Sequence, residues 1–428
     1  MKIGVIAEGA DRLGVQYEGI WRVFRFLAEA LLAQGSQFIL FHRRQHTGEL
    51  EILKSMLGAN KDRLELVDLD NGDIIAPDEQ DDSSEVLAEM VILSGTKPDI
   101  WLNPNPLWAA VQYMAGPKVT MLHDFLLYEY PCAYLHENYD MAFERISSCG
   151  DFFDKIVCIS QYVMSKHVAE GCGIRTELLT YIPNPPIEYD CYFGGDARSS
   201  DQLAREVQNQ ICTELRSTLP EWLGEREKSL FLHHTVNYPF SEAEYIFVST
   251  QNRPHKNLIR LAEAMRILLR ARHINVTTFT TALLNIYGDS DVENYLRDEA
   301  LFGDFLSVGK LSDRAHAAIY GLAAITVHTS PFEGNFPLPF AESVSAGTPC
   351  IIPFSNAYID FIPTRYWDSV FYNDEAKDLA DKIQHVLGNR ALVLNEQRQL
   401  LSHLREYTWA DAANRYKSLF EEIVQARS

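Results

Sequence analysis

Cysteine is scarce, with seven in 428 residues, an odd number lacking any C-x-x-C spacing. That excludes a disulfide framework as the organising device and makes a reducing cytoplasm the expected setting. Also missing is any uninterrupted apolar run of about 18 residues, the length a bilayer-spanning helix needs. The opening MKIGVIAEGADRLG has one lysine and too short an apolar stretch for a signal peptide, so it reads as a buried strand. Basic side chains are the third deficit: 38 Lys and Arg against 59 Asp and Glu leave a formal charge of −21. Nucleic acids and anionic membranes recruit proteins by phosphate neutralisation, so neither is an expected partner over most of this surface. Internal repeats and low-complexity tracts are absent too.

What remains is globular composition, 46% hydrophobic and 23% charged. At roughly 100–200 residues per domain, the length suggests two or three domains. Short apolar strands are expected at 3–7, 38–41, 100–102, 119–122, 156–159 and 178–182, with an amphipathic helix at 20–32 after a Gly-containing turn that includes Gly14. The rhythm resumes with strands at 245–249, 276–280, 283–287, 306–308, 325–328 and 349–353 and helices at 257–272, 292–299, 313–322 and 340–346. Alternation of this kind is the pattern of open parallel sheets, here two β/α domains joined by an irregular segment. The expected division is 1–190, a linker or insertion at 191–243 with an amphipathic helix near 199–217, a second domain at 244–408, and a returning helix at 409–428. Eight carboxylates between Asp68 and Glu85, with no Lys or Arg among them, read as a solvated acidic loop.

Ligands of open α/β sheets bind beyond the carboxyl ends of strands. Three polar clusters fall there. His123-Asp124 follows the strand at 119–122, and Gln251-Asn252-Arg253-Pro254-His255-Lys256-Asn257 follows that at 245–249. The third runs from Ser330 through Glu333, Gly334, Asn335, Phe336 and Pro337 into a helix carrying Glu342. A loop entering a helix presents unpaired N–H groups and a positive dipole end, which suits phosphate or sugar oxygens. Glu333 and Glu342 would accept from sugar or ribose hydroxyls; alternatively, they are an exposed loop acid and a first-turn helix acid favoured by the dipole. Arg253 and Lys256 suit a diphosphate, or are solvated loop charges. The role of His123 stays open at this level, and Asp289-Ser290-Asp291 is a D-x-D triplet that could hold a metal but recurs by chance.

Together the clusters resemble a known family. The run SVGKLSDRAHAAIYGLAAITVHTSPFEGNFPLPFAESVSAGTPCII is similar to the paired-glutamate signature of retaining GT-B glycosyltransferases of family 4, and TQNRPHKN to that family's donor-phosphate loop. VTMLHDFLLYEYP, KIVCISQYV and LLTYIPNP resemble its amino-domain strand ends, and EYTWADAANRYKSLF its closing helix. The resemblance implies an α/β fold of two facing Rossmann-like domains with a cleft between them. It further implies transfer of a hexosyl unit from a UDP- or GDP-sugar to a glycan or other hydroxyl acceptor, with no metal or other cofactor. Arg253 and Lys256 would take the leaving-group charge, with His123 and Glu333 near the transferred sugar. Glu342, Gly334, Asn335, Phe336, Pro337, Leu338, Gly14 and Ser249 would bind the donor. The sequence departs from the family at points: Glu333 and Glu342 enclose eight residues where seven are usual, and Ser249-Thr250 stands in place of a glycine. A nucleotide-sugar epimerase, a glycan phosphorylase and a non-catalytic binding protein or partner subunit are the rival readings. The acidic balance favours a soluble acceptor or a protein partner, including an oligomer, over strong membrane docking.

Overall fold

The computed structural model describes residues 1–8, 15, 18–70, 83–134, 139–189, 200–218, 225, 226, 228, 233, 236–284 and 291–427, with side chains in the helix 200–218 described for 201–211. The chain forms two compact units: Met1–Pro185 with Tyr407–Ser428, and Pro186–Glu406.

The first unit is a parallel sheet of seven strands, β1 (Lys2–Ile6), β2 (Gln37–His42), β3 (Leu64–Asp68), β4 (Ile100–Asn103), β5 (Lys118–Leu122), β6 (Lys155–Cys158) and β7 (Leu179–Tyr181), in the order β3-β2-β1-β4-β5-β6-β7. Near-continuous apolar runs such as QFILFH make strands that are buried along almost their whole length, as both faces of a parallel sheet require. Gly4 of β1 is required by packing, since a Cβ there would stand 2.6 Å from Pro98 Cγ and from the Trp101 ring. Helix Gly19–Ala33 lays Trp21, Phe24, Leu27 and Leu31 on the sheet, with Trp21 edge-on to Phe24 and Phe24 edge-on to Phe38. Across this helix packs the carboxy-terminal helix Trp409–Arg427, which adds Ala413, Tyr416, Phe420 and Ile423 to the same core.

The second unit is a parallel sheet of six strands, β8 (Tyr245–Val248), β9 (Thr277–Thr280), β10 (Phe305–Ser307), β11 (Ile325–Val327), β12 (Cys350–Pro353) and β13 (Phe371–Tyr372), in the order β10-β9-β8-β11-β12-β13. Helix Ser200–Thr218 belongs to this unit: Ala204, Val207 and Ile211 share a core with Tyr238, Phe240, Tyr245 and Phe279.

The observed order differs from expectation in a few places. Leu283 and Leu284 extend no strand, although Leu284 is buried, and 285–287 lie outside the described residues. β3 and β13 were not expected: LELVD alternates charge at the sheet edge, and β13 has only two residues. The helix of the third cluster begins at Leu338 rather than at residue 340, because Pro337 caps it and Pro339 stands in its first turn, where a missing N–H costs nothing. Two carboxylates of the acidic stretch are not simply solvated, since Asp70 pairs with Arg43 at 2.8 Å and Asp68 with Arg44 at 3.1 Å. Residues 71–82 lie outside the described residues.

Candidate functional site in the strand ends of the second unit

Strand order reverses between β8 and β11, which are neighbours in the sheet while their chains leave in opposite directions. This is the switch point where open α/β sheets bind ligands. Both paired clusters of the second unit sit at it. Arg253 and Lys256 follow β8, and Glu333 follows β11.

The two loops are stitched together. The Thr329 hydroxyl donates to the Lys256 carbonyl, and Ser330 Oγ lies 2.6 Å from the Phe332 carbonyl and 3.2 Å from that of His255. Lys256 closes a short helical turn, and Asn257 after it takes the left-handed conformation at φ 49°. Its side chain donates to Asp374 at 3.0 Å, which fixes the turn that aims Lys256. The Lys256 ammonium pairs with Glu333 Oε1, and His328 Nε2 lies 3.7 Å from the same oxygen. Tyr372 donates to the His328 carbonyl at 3.0 Å and Tyr358 to that of Ser330 at 3.0 Å, so the strand end is braced from β13 and from the loop after β12.

Electrostatics follow from this arrangement. Burial acts to raise the Glu333 carboxyl, but Lys256, His328 and His255 together hold it down at about 2. Burial pushes His328 down to about 4, and burial with the neighbouring Lys256 charge pushes His255 down to about 3. Both imidazoles are therefore neutral at pH 7, leaving Lys256 and Glu333 as the paired charges where the two loops meet. Arg253 is exposed beside them in sequence, and among the described residues no carboxylate lies within ion-pair distance of it.

The bland readings of the two glutamates do not hold. Glu333 is 25% exposed and ion-paired rather than a free loop acid. Glu342 lies beyond the first helical turn and is 1% exposed, accepting from Tyr320 at 2.9 Å. Between them, Gly334 is buried, and Phe336 packs edge-on to Phe340 with centroids 5.2 Å apart, so its ring serves the core of the loop. Asn335 has a buried Oδ1 that accepts from no described residue, an acceptor available to a hydroxyl. Pro337 and Leu338 open the helix. Ser249 Oγ lies 2.8 Å from His316 Nε2. Gly14, Asp289 and Ser290 lie outside the described residues, and Asp291 begins helix Asp291–Asp298.

In the first unit His123 follows β5, and its Nε2–H donates 3.0 Å to the Pro104 carbonyl just past β4. That bond fixes the tautomer with Nδ1 unprotonated, and burial holds the ring down at about 4. His255, His328, His316, Tyr320 and Asp374 were not singled out from sequence. His255 lay inside a named cluster, whereas His328 ends an apolar run that reads as strand.

Among the described residues no group of three or more His, Cys, Asp or Glu could hold a metal, and no helix is long and apolar enough to cross a membrane. Residues 234–406 match the family model of glycosyl transferases group 1, so the second unit carries a glycosyltransferase domain. No protein of curated function matches the chain. Among solved structures, HepE of Anabaena in complex with UDP-glucose superposes with a TM-score of 0.68 at 13% identity over 100% of both chains. Sucrose-phosphate synthase from Thermosynechococcus elongatus does so at 0.67 and 15% over 99% of both. The catalytic domain of starch synthase IV from Arabidopsis thaliana, bound to ADP and acarbose, gives 0.60 and 11%, again over 99% of both. These likenesses establish the fold: two Rossmann-like parallel-sheet units of the GT-B class.

Proposed function

We propose that the chain is a retaining glycosyltransferase of the family-4 type. It moves a hexosyl unit from a UDP- or GDP-sugar to a hydroxyl acceptor, glycan or other, without a divalent metal. In the reaction the bond between anomeric carbon and diphosphate oxygen breaks, a bond to the acceptor oxygen forms, and the acceptor's proton leaves with the nucleoside diphosphate. The observation that carries this reading is the convergence at the β8/β11 switch point of Lys256, Arg253 and the helix that opens at Leu338. Two cations and a helix amino terminus are a preorganised counter-charge for a departing diphosphate.

Glu333 and the orphan acceptor of Asn335 face the sugar hydroxyls in this reading, and Glu342 holds the ribose. The first unit recognises the acceptor, with neutral His123 at its strand ends. Support for a sugar nucleotide comes also from HepE, solved with UDP-glucose, and from starch synthase IV, solved with ADP. A thermal-shift panel of UDP-, GDP- and ADP-sugars tests the donor, because a ligand at a hundred times its Kd adds about 2.7 kcal/mol. Release of nucleoside diphosphate should then depend on acceptor and persist in EDTA. Donor binding without any turnover would favour a non-catalytic protein, and turnover that isomerises the sugar without transfer would favour an epimerase.

A further inference from the structure

The first unit's loop after His123 closes at two points on one buried imidazole. His167 belongs to helix Val163–Gly171, which follows β6, the neighbour of β5 in the sheet. The Phe125 backbone N–H lies 2.9 Å from His167 Nδ1, and Glu129 Oε2 lies 3.0 Å from His167 Nε2. A backbone N–H can only donate, so Nδ1 carries no hydrogen. Nε2 therefore carries the single hydrogen of the ring and donates it to Glu129. Phe125 and Glu129 bracket the helical turn Leu126–Glu129, so both ends of that turn are fixed on the same side chain.

Packing keeps the ring in that orientation. Tyr128 and Tyr162 both stand edge-on to it with centroids 5.6 Å away, and the Tyr162 hydroxyl donates to Glu129 Oε1 at 3.1 Å. The bonds from His167 and Tyr162 hold the Glu129 carboxyl below its usual range although burial acts to raise it, so the acceptor stays ionised. Upstream, Leu122 is anchored in the sheet opposite Cys158. His123 and Asp124 thus lie between two fixed points, the ladder at Leu122 and the imidazole at Phe125.

We infer that His167 is a positioning residue for His123: by accepting from the Phe125 N–H it fixes the strand-end loop, so that the His123 ring keeps its Nε2–H on the Pro104 carbonyl. Its importance for turnover rests on the part proposed above for His123, and the test separates the two. Histidine-selective isotope labelling and NMR of the full chain read the His123 ring directly, its signals being identified by their loss in His123→Gln. In wild type the ring should show the Nε2–H tautomer and stay neutral down to about pH 4.

His167→Leu fills the space without an acceptor, so His123 should exchange between tautomers and take its proton closer to about 6.5, the ordinary imidazole value. His167→Gln puts its amide where Nε2 stood and keeps only the Glu129 bond; it should behave like His167→Leu. His167→Asn puts an amide oxygen where Nδ1 stood, still accepts from Phe125, and should keep the wild-type signals. Release of nucleoside diphosphate, from whichever UDP-, GDP- or ADP-sugar binds tightest, should fall about tenfold or more in His167→Leu and His167→Gln, with nucleotide affinity within about twofold of wild type. Wild-type His123 signals in both of those variants overturn the inference, and so do altered signals in all three alike, since His167 would then serve packing alone. Altered signals with unchanged release, or no release even from wild type, leave the positioning in place and overturn the part proposed for His123. Should His167→Leu lower the melting temperature, the contrast between His167→Asn and His167→Gln decides.

Discussion

Replacing Lys256 by Ala separates leaving-group stabilisation from mere support of the fold. The ammonium pairs with Glu333, whose side chain is 25% exposed, so the substitution leaves a half-buried carboxylate with two neutral imidazoles as its nearest polar neighbours. Two unit charges 4 Å apart at an effective dielectric of 20 attract by about 4 kcal/mol, an upper bound before desolvation is subtracted. A net stability loss of about 2 kcal/mol is therefore expected, part of it recovered because the Glu333 carboxyl, now held near 2, rises once its main counter-charge is gone. Turnover should fall further, by about a hundredfold to a thousandfold, the effect of removing one preorganised charge donor.

The double variant Lys256→Ala/Glu333→Gln distinguishes these losses. It removes both charges, so the melting temperature should return toward wild type while nucleoside diphosphate release stays low. Initial rates by a coupled diphosphate-release assay and melts by circular dichroism are the measurements. Turnover within about threefold of wild type in the single variant, or its restoration in the double, would refute the leaving-group role of Lys256.

Acid should destabilise the second unit. His328 and His255, held at about 4 and about 3, refuse protons that their unfolded forms accept at about 6.5. Stability is thus complete above pH 6.5 and falls between 6.5 and 4, by about 2 kcal/mol per imidazole at pH 5 as an upper value; equal melting at pH 7 and pH 5 would contradict it. Asn257→Ala should cost about 1–2 kcal/mol, since its φ of 49° is strained for a Cβ-bearing residue and the Asp374 bond goes with the side chain. Asn257→Gly should cost less, and urea titration of the two compares them. Phe420→Ala, fully buried in the first unit's core, should cost about 3–5 kcal/mol. A loss below about 1 kcal/mol by denaturant titration would mean that the terminal helix does not belong to that core.

Most strands were readable because parallel sheets bury both faces and so write themselves as apolar runs such as YIFV and CIIP. β3 escaped because its polar residues alternate at a sheet edge and run into the acidic stretch. Lys256 and Glu333 were readable as residue types at strand ends. Their ion pair was not, since 77 positions separate them and only the β8–β11 neighbourhood brings them together. The burial of Glu342 had no sequence signal either, because it depends on Tyr320 reaching it from helix Asp313–Leu322. Histidines 255 and 328 have no periodicity of their own, and their neighbours in space, not in sequence, make them neutral.

In the proposed function, protein cations at the switch point of the second unit neutralise a nucleoside diphosphate. Calorimetric titration of UDP, GDP and ADP into the intact chain in EDTA, repeated with Lys256→Ala and Arg253→Ala, tests it most directly. One nucleotide should bind without metal and lose about tenfold or more in affinity in each variant, the scale of a charge-assisted contact. Absence of binding, binding only with a divalent ion, or unchanged affinity in both variants would contradict it.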